Sequence, residues 1–467
     1  MRKPRAITRR TALKGLGAAA AGALLPGARA RRAAAASGSR PNLIFILTDD
    51  QRWDALGSAG HPFFQSPNLD RLAREGVRFS NTFVTTSLCS PSRATFLTGL
   101  YPHRHGVRNN LTPWTGEHLT FLERLASAGY DCAFIGKWHM PGKGLPRLQG
   151  VDPFISFTAV AGQGKYFNCP LVINGHKVKT KGYITDQLTD YALDFLKQPR
   201  TRPFCLYLSH KAVHSPMNPA PRHQGLYRDA KVTLPPELKF KGHEAHYNLM
   251  HLLVMGKNTP ESWIRQIQDY YATLQAVDES AGKILDYLDR AGRAENTAVF
   301  FAGDNGFFWG EHGLIDKRYA YEESLRIPLL ARFPAGIEKP GRRVEEMALN
   351  LDLAPTLLDL AGMEIPAEMQ GLSWRALLRG ERSQWRQSFL YEYFKDWPYP
   401  VPPMLAVRTP EWKYIHYLEA KREDELFHLA ADPKEKTNLI ARASDAQTLA
   451  SLRAELERLK QATGYLT

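Results

Sequence analysis

Two adjacent aspartates, Asp49 and Asp50, close an unbroken apolar run, Leu43-Ile44-Phe45-Ile46-Leu47, with Thr48 between. A second polar set, Asp304-Asn305-Gly306, follows another such run from Thr297 to Ala302. Asp49, Asp50, Asp304 and Asn305 offer only oxygen donors, the chemistry that suits a hard cation, Ca²⁺ first and Mg²⁺ second. Neighbouring carboxylates repel unless a cation stands between them. The plain alternative is a helix cap at Asp49-Asp50 and a turn at 304–306, but a cap needs only one carboxylate. No HExxH motif or close histidine pair accompanies them, which argues against zinc.

A third feature is Cys89-Ser90-Pro91-Ser92-Arg93, continued by Ala94-Thr95-Phe96-Leu97-Thr98-Gly99. Ser90 suits an N-cap and Pro91 the first helical position. That reading sets Cys89 just outside a helix N-terminus, where free N–H groups favour an anion, with Arg93 near the first turn. Lys137 and His139 follow the apolar run Asp131 to Ile135 and Gly136. His210 and, four residues on, His214 follow Phe204 to Leu208.

Those four apolar runs must position the polar groups. Apolar on both faces, they suit central parallel strands. Helical patterns lie between them at Asn68 to Glu75, Phe121 to Ala128, Gln187 to Leu196 and Glu261 to Ala291. The last carries Ile264, Ile267, Tyr271, Leu274, Val277, Ile284 and Leu288 at helical spacing. This alternation implies an α/β fold with a large, doubly wound, mainly parallel sheet flanked by helices. In such sheets ligands bind outside the carboxyl ends of the strands, so the four polar exits should share one crevice. Beyond Gly371 the character changes. Phe389 to Tyr393, Leu405 to Arg408, Trp412 to Tyr417 and Glu425 to His428 are short strand-like pieces, and Ala446 to Thr463 is a terminal helix. Residues 375–467 are expected to form a smaller antiparallel α+β subdomain, and 40–374 the catalytic domain.

The 467 residues are 43% hydrophobic and 23% charged, an ordinary globular composition that excludes a disordered or fibrous chain. Half of the net +14 lies in residues 1–30, which hold seven basic side chains and no acid. The remaining bias is mild: compatible with anionic substrates, too thin for nucleic acid. Arg9-Arg10, a weakly apolar Ala/Gly/Leu run and Ala28-Arg29-Ala30 resemble a twin-arginine signal with its cleavage site. The run is too short and glycine-rich for stable membrane insertion. The expected destination is outside the cytoplasmic membrane, periplasmic or extracellular. The four cysteines show no CxxC spacing, and Cys132 and Cys205 read as small buried hydrophobes.

Cys89-Ser90-Pro91-Ser92-Arg93 with Leu97-Thr98-Gly99 resembles the signature of the formylglycine-dependent type I sulfatases of the alkaline phosphatase-like superfamily. Gly136-Lys137-Trp138-His139 is similar to that family's second motif. Gly310-Glu311-His312-Gly313 with Lys317 is similar to the segment supplying its late lysine. Tyr101-Pro102-His103 to Asn110 and Val213-His214-Ser215-Pro216 look most like the glucosamine-6-sulfate sulfatases. The resemblance implies that Cys89 is oxidised to Cα-formylglycine by dedicated generating machinery during synthesis. With Asp49, Asp50, Asp304 and Asn305, the modified Cys89 would hold one Ca²⁺. Arg93 would steady the formylglycine hydrate. Lys137, His139, His214 and Lys317 would surround the sulfate and the bridging oxygen, with His210 a competitor for the role of His214.

The implied reaction is hydrolysis of a sulfate monoester, on a sulfated carbohydrate. One hydroxyl of an aldehyde hydrate attacks sulfur, and deprotonation of the other expels sulfate. Trp397-Pro398-Tyr399 and Val401 to Leu405 could line the sugar pocket, or simply pack the second sheet. Two further readings stand beside this one: a phosphonate monoester or phosphodiester hydrolase of the same superfamily, and a non-catalytic glycan-binding homologue. The second predicts lost ligands or a lost nucleophile, and none is missing.

Overall fold

The computed structural model describes residues 40–238, 259–381, 384–420 and 422–465. The twin-arginine segment lies outside the described residues. Residues from Arg40 onward form one compact unit.

Its centre is a ten-stranded sheet. From one edge to the other run Arg342–Val344, Val77–Phe79, Leu329–Arg332, Thr297–Gly303, Asn42–Thr48, Phe204–Ser209, Asp131–Gly136, Val151–Ser156, Leu171–Ile173 and His176–Val178. The four apolar runs of the sequence form adjacent parallel strands, with Ile44 opposite Val299 and Leu206, and Leu206 opposite Ala133. Leu43, Phe45 and Leu47 pack one face, Ile44 and Ile46 the other, and all five are fully buried. Burial on both faces is what a continuous apolar strand requires. Leu329–Arg332 and the Leu171–Val178 hairpin add antiparallel pairs at the flanks, so the sheet is mixed although mainly parallel.

Helices cover both faces. Pro260–Arg290, 31 residues long, opens on a Thr259/Ser262 capping box, and Trp263, Ile267, Tyr271, Leu274, Val277, Ile284 and Leu288 are buried along it. Phe121–Ser127 starts on a Thr120/Glu123 capping box. Near Gly371 the chain passes to a separate four-stranded antiparallel meander, Phe389–Tyr393, Met404–Arg408, Trp412–Tyr417 and Glu425–His428. Ala446–Thr463 buries Leu452, Leu456 and Leu459 against it. All four cysteines are free and buried.

Candidate active site

The four strand exits converge. Thr48 stands opposite Gly303 across the parallel pair, so Asp49-Asp50 and Asp304-Asn305 leave the sheet side by side. Main-chain bonds hold them there: Asp304 N–H to Thr48 O at 3.0 Å, Asp49 N–H to Ala212 O at 2.9 Å, and Val213 N–H to Asp49 O at 2.7 Å. Gly136 ends its strand at φ 122°, and a Cβ there would meet Ser209 O at 1.8 Å, so only glycine can lead into Lys137. Asp50 takes the left-handed conformation (φ 58°), and its N–H donates to Asp304 Oδ1 at 3.0 Å.

Carboxylate oxygens of Asp49, Asp50 and Asp304 lie within 4.8 Å of one another, all three residues buried. Asn305 Nδ2 donates to Asp50 Oδ1 at 2.7 Å, while its Oδ1 is buried without a hydrogen-bond donor. Three crowded carboxylates and an orphaned amide oxygen form an oxygen-only donor set, which fits a hard cation. Lys137 Nζ bonds Asp49 and Lys317 Nζ bonds Asp50. Arg93 reaches Asp304 Oδ2 through Nε at 2.9 Å and Nη2 at 2.7 Å. Burial pushes the Asp49 and Asp50 carboxyls up, but the surrounding cations, Lys137 and Lys317 foremost, outweigh it and hold both below the usual range. Asp304 goes the other way: burial, then Asp49, push it up to about 7.

Cys89 opens the helix Cys89–Thr98, whose N-cap is Leu88. The expected cap at Ser90 is corrected: Ser92 N–H already bonds Leu88 O at 3.0 Å. Ser90 is drawn into tertiary bonds instead, its hydroxyl to His139 O at 2.6 Å and its N–H to Asn110 Oδ1 at 3.0 Å. Cys89 is thus the first helical residue, its Sγ 3.5 Å from Asp49 Oδ1 and accepting from Lys317 Nζ at 3.1 Å. Burial pushes the thiol up to about 12, against Lys317 and Lys137, so unmodified Cys89 is a neutral thiol at pH 7. Besides Asp304, Arg93 binds Lys137 O at 3.0 Å and Ser209 Oγ at 2.7 Å, tying three strand exits to the cysteine helix.

His139 and His214 are both brought in. His214 Nε2 lies 3.8 Å from Asp50 Oδ2, and His214 shares a ligand-sized cluster with Asp49 and Cys89. Burial drives His139 well below the usual imidazole range and lowers His214 to about 3, leaving two neutral imidazoles. His210 is not brought in: its Nε2 meets Ser280 Oγ at 3.2 Å on the long helix. Two residues escaped the sequence reading. Gln163 accepts from Lys137 Nζ at 2.5 Å and stands 2.8 Å from His139 Nε2. An ammonium only donates, so the Gln163 amide NH₂ faces His139 and leaves the imidazole proton on Nδ1. Lys211 is buried over the Tyr166 ring, and burial lowers it to about 8. It follows a strand exit directly and was findable by the rule that found its neighbours.

Among the proposed sugar-binding aromatics, Tyr399 lies 3.5 Å from the Arg318 guanidinium, beside Lys317, and Trp397 is 75% exposed. In the stretch Val401 to Leu405, Val401, Met404 and Leu405 pack in the core, as the packing alternative has it, and Pro402 and Pro403 are half-buried.

Residues 41–363 match the sulfatase family, and residues 310–462 match the family described as N-sulphoglucosamine sulphohydrolase, C-terminal. An N-acetylglucosamine-6-O-sulfatase of Bacteroides thetaiotaomicron is 33% identical, covering 90% of this chain and 86% of its own. The human N-acetylglucosamine-6-sulfatase is 32% identical over 92% of this chain and 86% of its own. A solved structure in complex with its substrate D-glucosamine-2-N,6-O-disulfate superposes with TM-score 0.83 at 31% identity, covering 91% of this chain and 98% of that one. The phosphonate monoester hydrolase of Agrobacterium radiobacter, TM-score 0.74 at 22% identity over 91% and 96%, shares the fold alone. The chain belongs to the sulfatase family. It is a sulfuric ester hydrolase, and its family implies a metal and a modified cysteine.

Proposed function

We propose that this sulfatase removes a sulfate ester from a sulfated carbohydrate, a 6-sulfated glucosamine being the best-supported unit, with Cα-formylglycine at position 89 and one Ca²⁺. The observation that carries the reading is Cys89 at a helix start, its buried neutral thiol set between Asp49 and Lys317. The named sugar units of the relatives support the substrate class.

Asp49, Asp50, Asp304 and Asn305 would hold the cation, together with position 89. The metal and the aldehyde hydrate supply, when present, a polarised hydroxyl for attack and a second hydroxyl whose deprotonation releases sulfate. The chain's own residues do the rest. Lys137 and Lys317 place fixed positive charge around an anionic ester in a buried site, where it is screened little. Arg93 holds Asp304 and the strand exits to the nucleophile helix. His139, its proton fixed on Nδ1 by Gln163, presents an unprotonated Nε2 to accept a proton. Lys317, or His214 once the anionic ester has drawn a proton onto its imidazole, delivers a proton to the leaving oxygen. We further propose export by the twin-arginine route, with cysteine oxidation complete before translocation because that route carries folded protein.

Mass spectrometry of the residue-89 peptide, with hydrazide capture of its carbonyl, tests the modification. Parallel turnover of an aryl sulfate and a phenyl phosphonate ester tests the reaction. Unmodified cysteine in a fully active enzyme would overturn the nucleophile, and preference for the phosphonate would overturn the ester class.

A further inference from the structure

From residue 153 to residue 185 the chain carries four lysines and not one carboxylate. Lys165, Lys177, Lys179 and Lys181 are all exposed, and among the described residues no ion pair holds any of their side chains. Exposure alternates along 177–181: the three lysines face solvent while Val178 and Thr180 are half-buried, and Thr180 Oγ1 is tied to Cys169 O at 2.6 Å. Successive lysines two residues apart are at most about 7 Å from each other along the chain. The result is a line of cations that begins on the outermost strand, His176–Val178, and continues just beyond its end.

That line lies at the same end of the sheet as the active site. Ile155 stands opposite Ile135, Ser156 opposite Val172, and Leu171 opposite Val178. Val178 is therefore level with the carboxyl end of Asp131–Gly136, and Lys179 and Lys181 continue past it. Five strand spacings separate Asn42–Thr48 from His176–Val178, about 24 Å. The interval is bridged by one segment. Gln163 sits in the site, Lys165 is exposed two residues later, and Tyr166 donates to His214 O at 2.7 Å. Asn168 then binds Gly182 through N–H···O at 2.9 Å and accepts from its N–H at 2.8 Å, fixing the lysine row to the site loop. On the side of helix Ile184–Lys197, Asp190 and Asp194 line a groove of about 370 Å³ with Lys179 and Lys181. Those two carboxylates would repel an anionic chain from the groove.

We infer that Lys165, Lys177, Lys179 and Lys181 form an extended binding edge for a linear sulfated polysaccharide whose terminal sulfated unit occupies the active site. This rests on the carbohydrate reading above and adds that the enzyme prefers a polymer to a free sugar. Unpaired cations in a row recognise a repeating anion, and a reach of about 24 Å spans several sugar units.

The test combines Lys177→Gln, Lys179→Gln and Lys181→Gln in one variant, leaving every site residue intact. Turnover of an aryl sulfate and the melting temperature should match the parent, showing a sound fold and site. Calorimetric binding of a heparin octasaccharide should weaken on the order of tenfold, and the parent's affinity should fall with added salt. With N-acetylglucosamine-6-sulfate as substrate, KM should be unchanged. Equal octasaccharide affinity in parent and variant overturns the inference. Binding is read without turnover, so a parent that binds the octasaccharide but releases no sulfate from it counts against the carbohydrate reaction and leaves the binding edge standing.

Discussion

Two buried clusters of charge hold this molecule together, and they differ in what a ligand could change. One lies at the strand exits, where Asp49, Asp50 and Asp304 face Lys137, Lys317 and Arg93. The other joins the four-stranded meander to the catalytic part. There Lys413 bridges Glu322 at 2.9 Å and Glu435 at 2.7 Å, and Arg408 meets Glu322 at 3.3 Å. Both are balanced by sign, so buried charge alone does not mark a site. Among the described residues, the first keeps an orphaned acceptor, Asn305 Oδ1, and a buried His139 Nδ1 without a partner, beside the thiol of Cys89. A dication entering it would free lysines to meet an anionic ester. In the second, Lys413 is already ion-paired to both glutamates, and Arg408, besides Glu322, donates to Thr409 O at 3.0 Å and stacks on the Phe83 ring.

The largest expected effect follows from breaking the first cluster. Asp304→Ala should abolish metal retention, read by plasma emission spectrometry, and lower kcat by about 10³-fold or more, because one removed ligand costs several kcal/mol of transition-state stabilisation. The fold should persist, since the substitution removes a carboxylate that burial already pushes up to about 7 and Arg93 keeps Lys137 O and Ser209 Oγ as partners. A metal-free variant turning over at the parent rate would erase the distinction between the clusters.

Breaking the second should affect stability and spare chemistry. Lys413→Met leaves Glu435 buried beside Glu322 with no lysine between them, and burial already pushes Glu435 up to about 7. Denaturant unfolding should show a loss of about 3–5 kcal/mol. Turnover per folded molecule should match the parent. A loss of turnover at full stability would mean that the meander takes part in the reaction.

The contrast also explains what was legible in the sequence. Central strands announced themselves because both faces are buried, and their polar exits stood out against apolar runs. The meander strands Phe389–Tyr393, Trp412–Tyr417 and Glu425–His428 and the helix Ala446–Thr463 were readable to the residue, each being directly preceded by a polar or charged residue, Ser388, Glu411, Asp424 and Asp445. Short flanking strands such as Val77–Phe79 and Arg342–Val344 were not, because three residues carry too little periodicity. Gln163 was invisible for another reason. It sits in a loop of small residues, and only tertiary folding brings it between Lys137 and His139. Ser90 looked like a cap from its neighbours, and a distant carbonyl claimed its hydroxyl.

The smallest effect concerns a buried group that is neutral rather than paired. His105 ends the short helix Pro102–His105 and is 4% exposed. Val107 N–H donates to its Nδ1 at 3.1 Å, so the ring proton is on Nε2, which stands 3.0 Å from Thr95 Oγ1. Protonation would set an Nδ1–H against the Val107 N–H. Burial, then His118 and His103, lower His105 to about 3. The unfolded chain takes up its proton near 6.5 and the folded one only near 3, so stability must fall as pH drops through that window. From pH 7 to 5.5 this residue alone should remove about 1 kcal/mol. His210, also about 3, and His61, about 4, act with the same sign. His105→Gln keeps an acceptor for Val107 and a donor for Thr95 without a titrating proton. Urea midpoints at the two pH values should therefore lie closer together in the variant by about that amount. Identical pH dependence in parent and variant would mean that His105 takes its proton in the folded state, and that neutrality at this position is not imposed by burial.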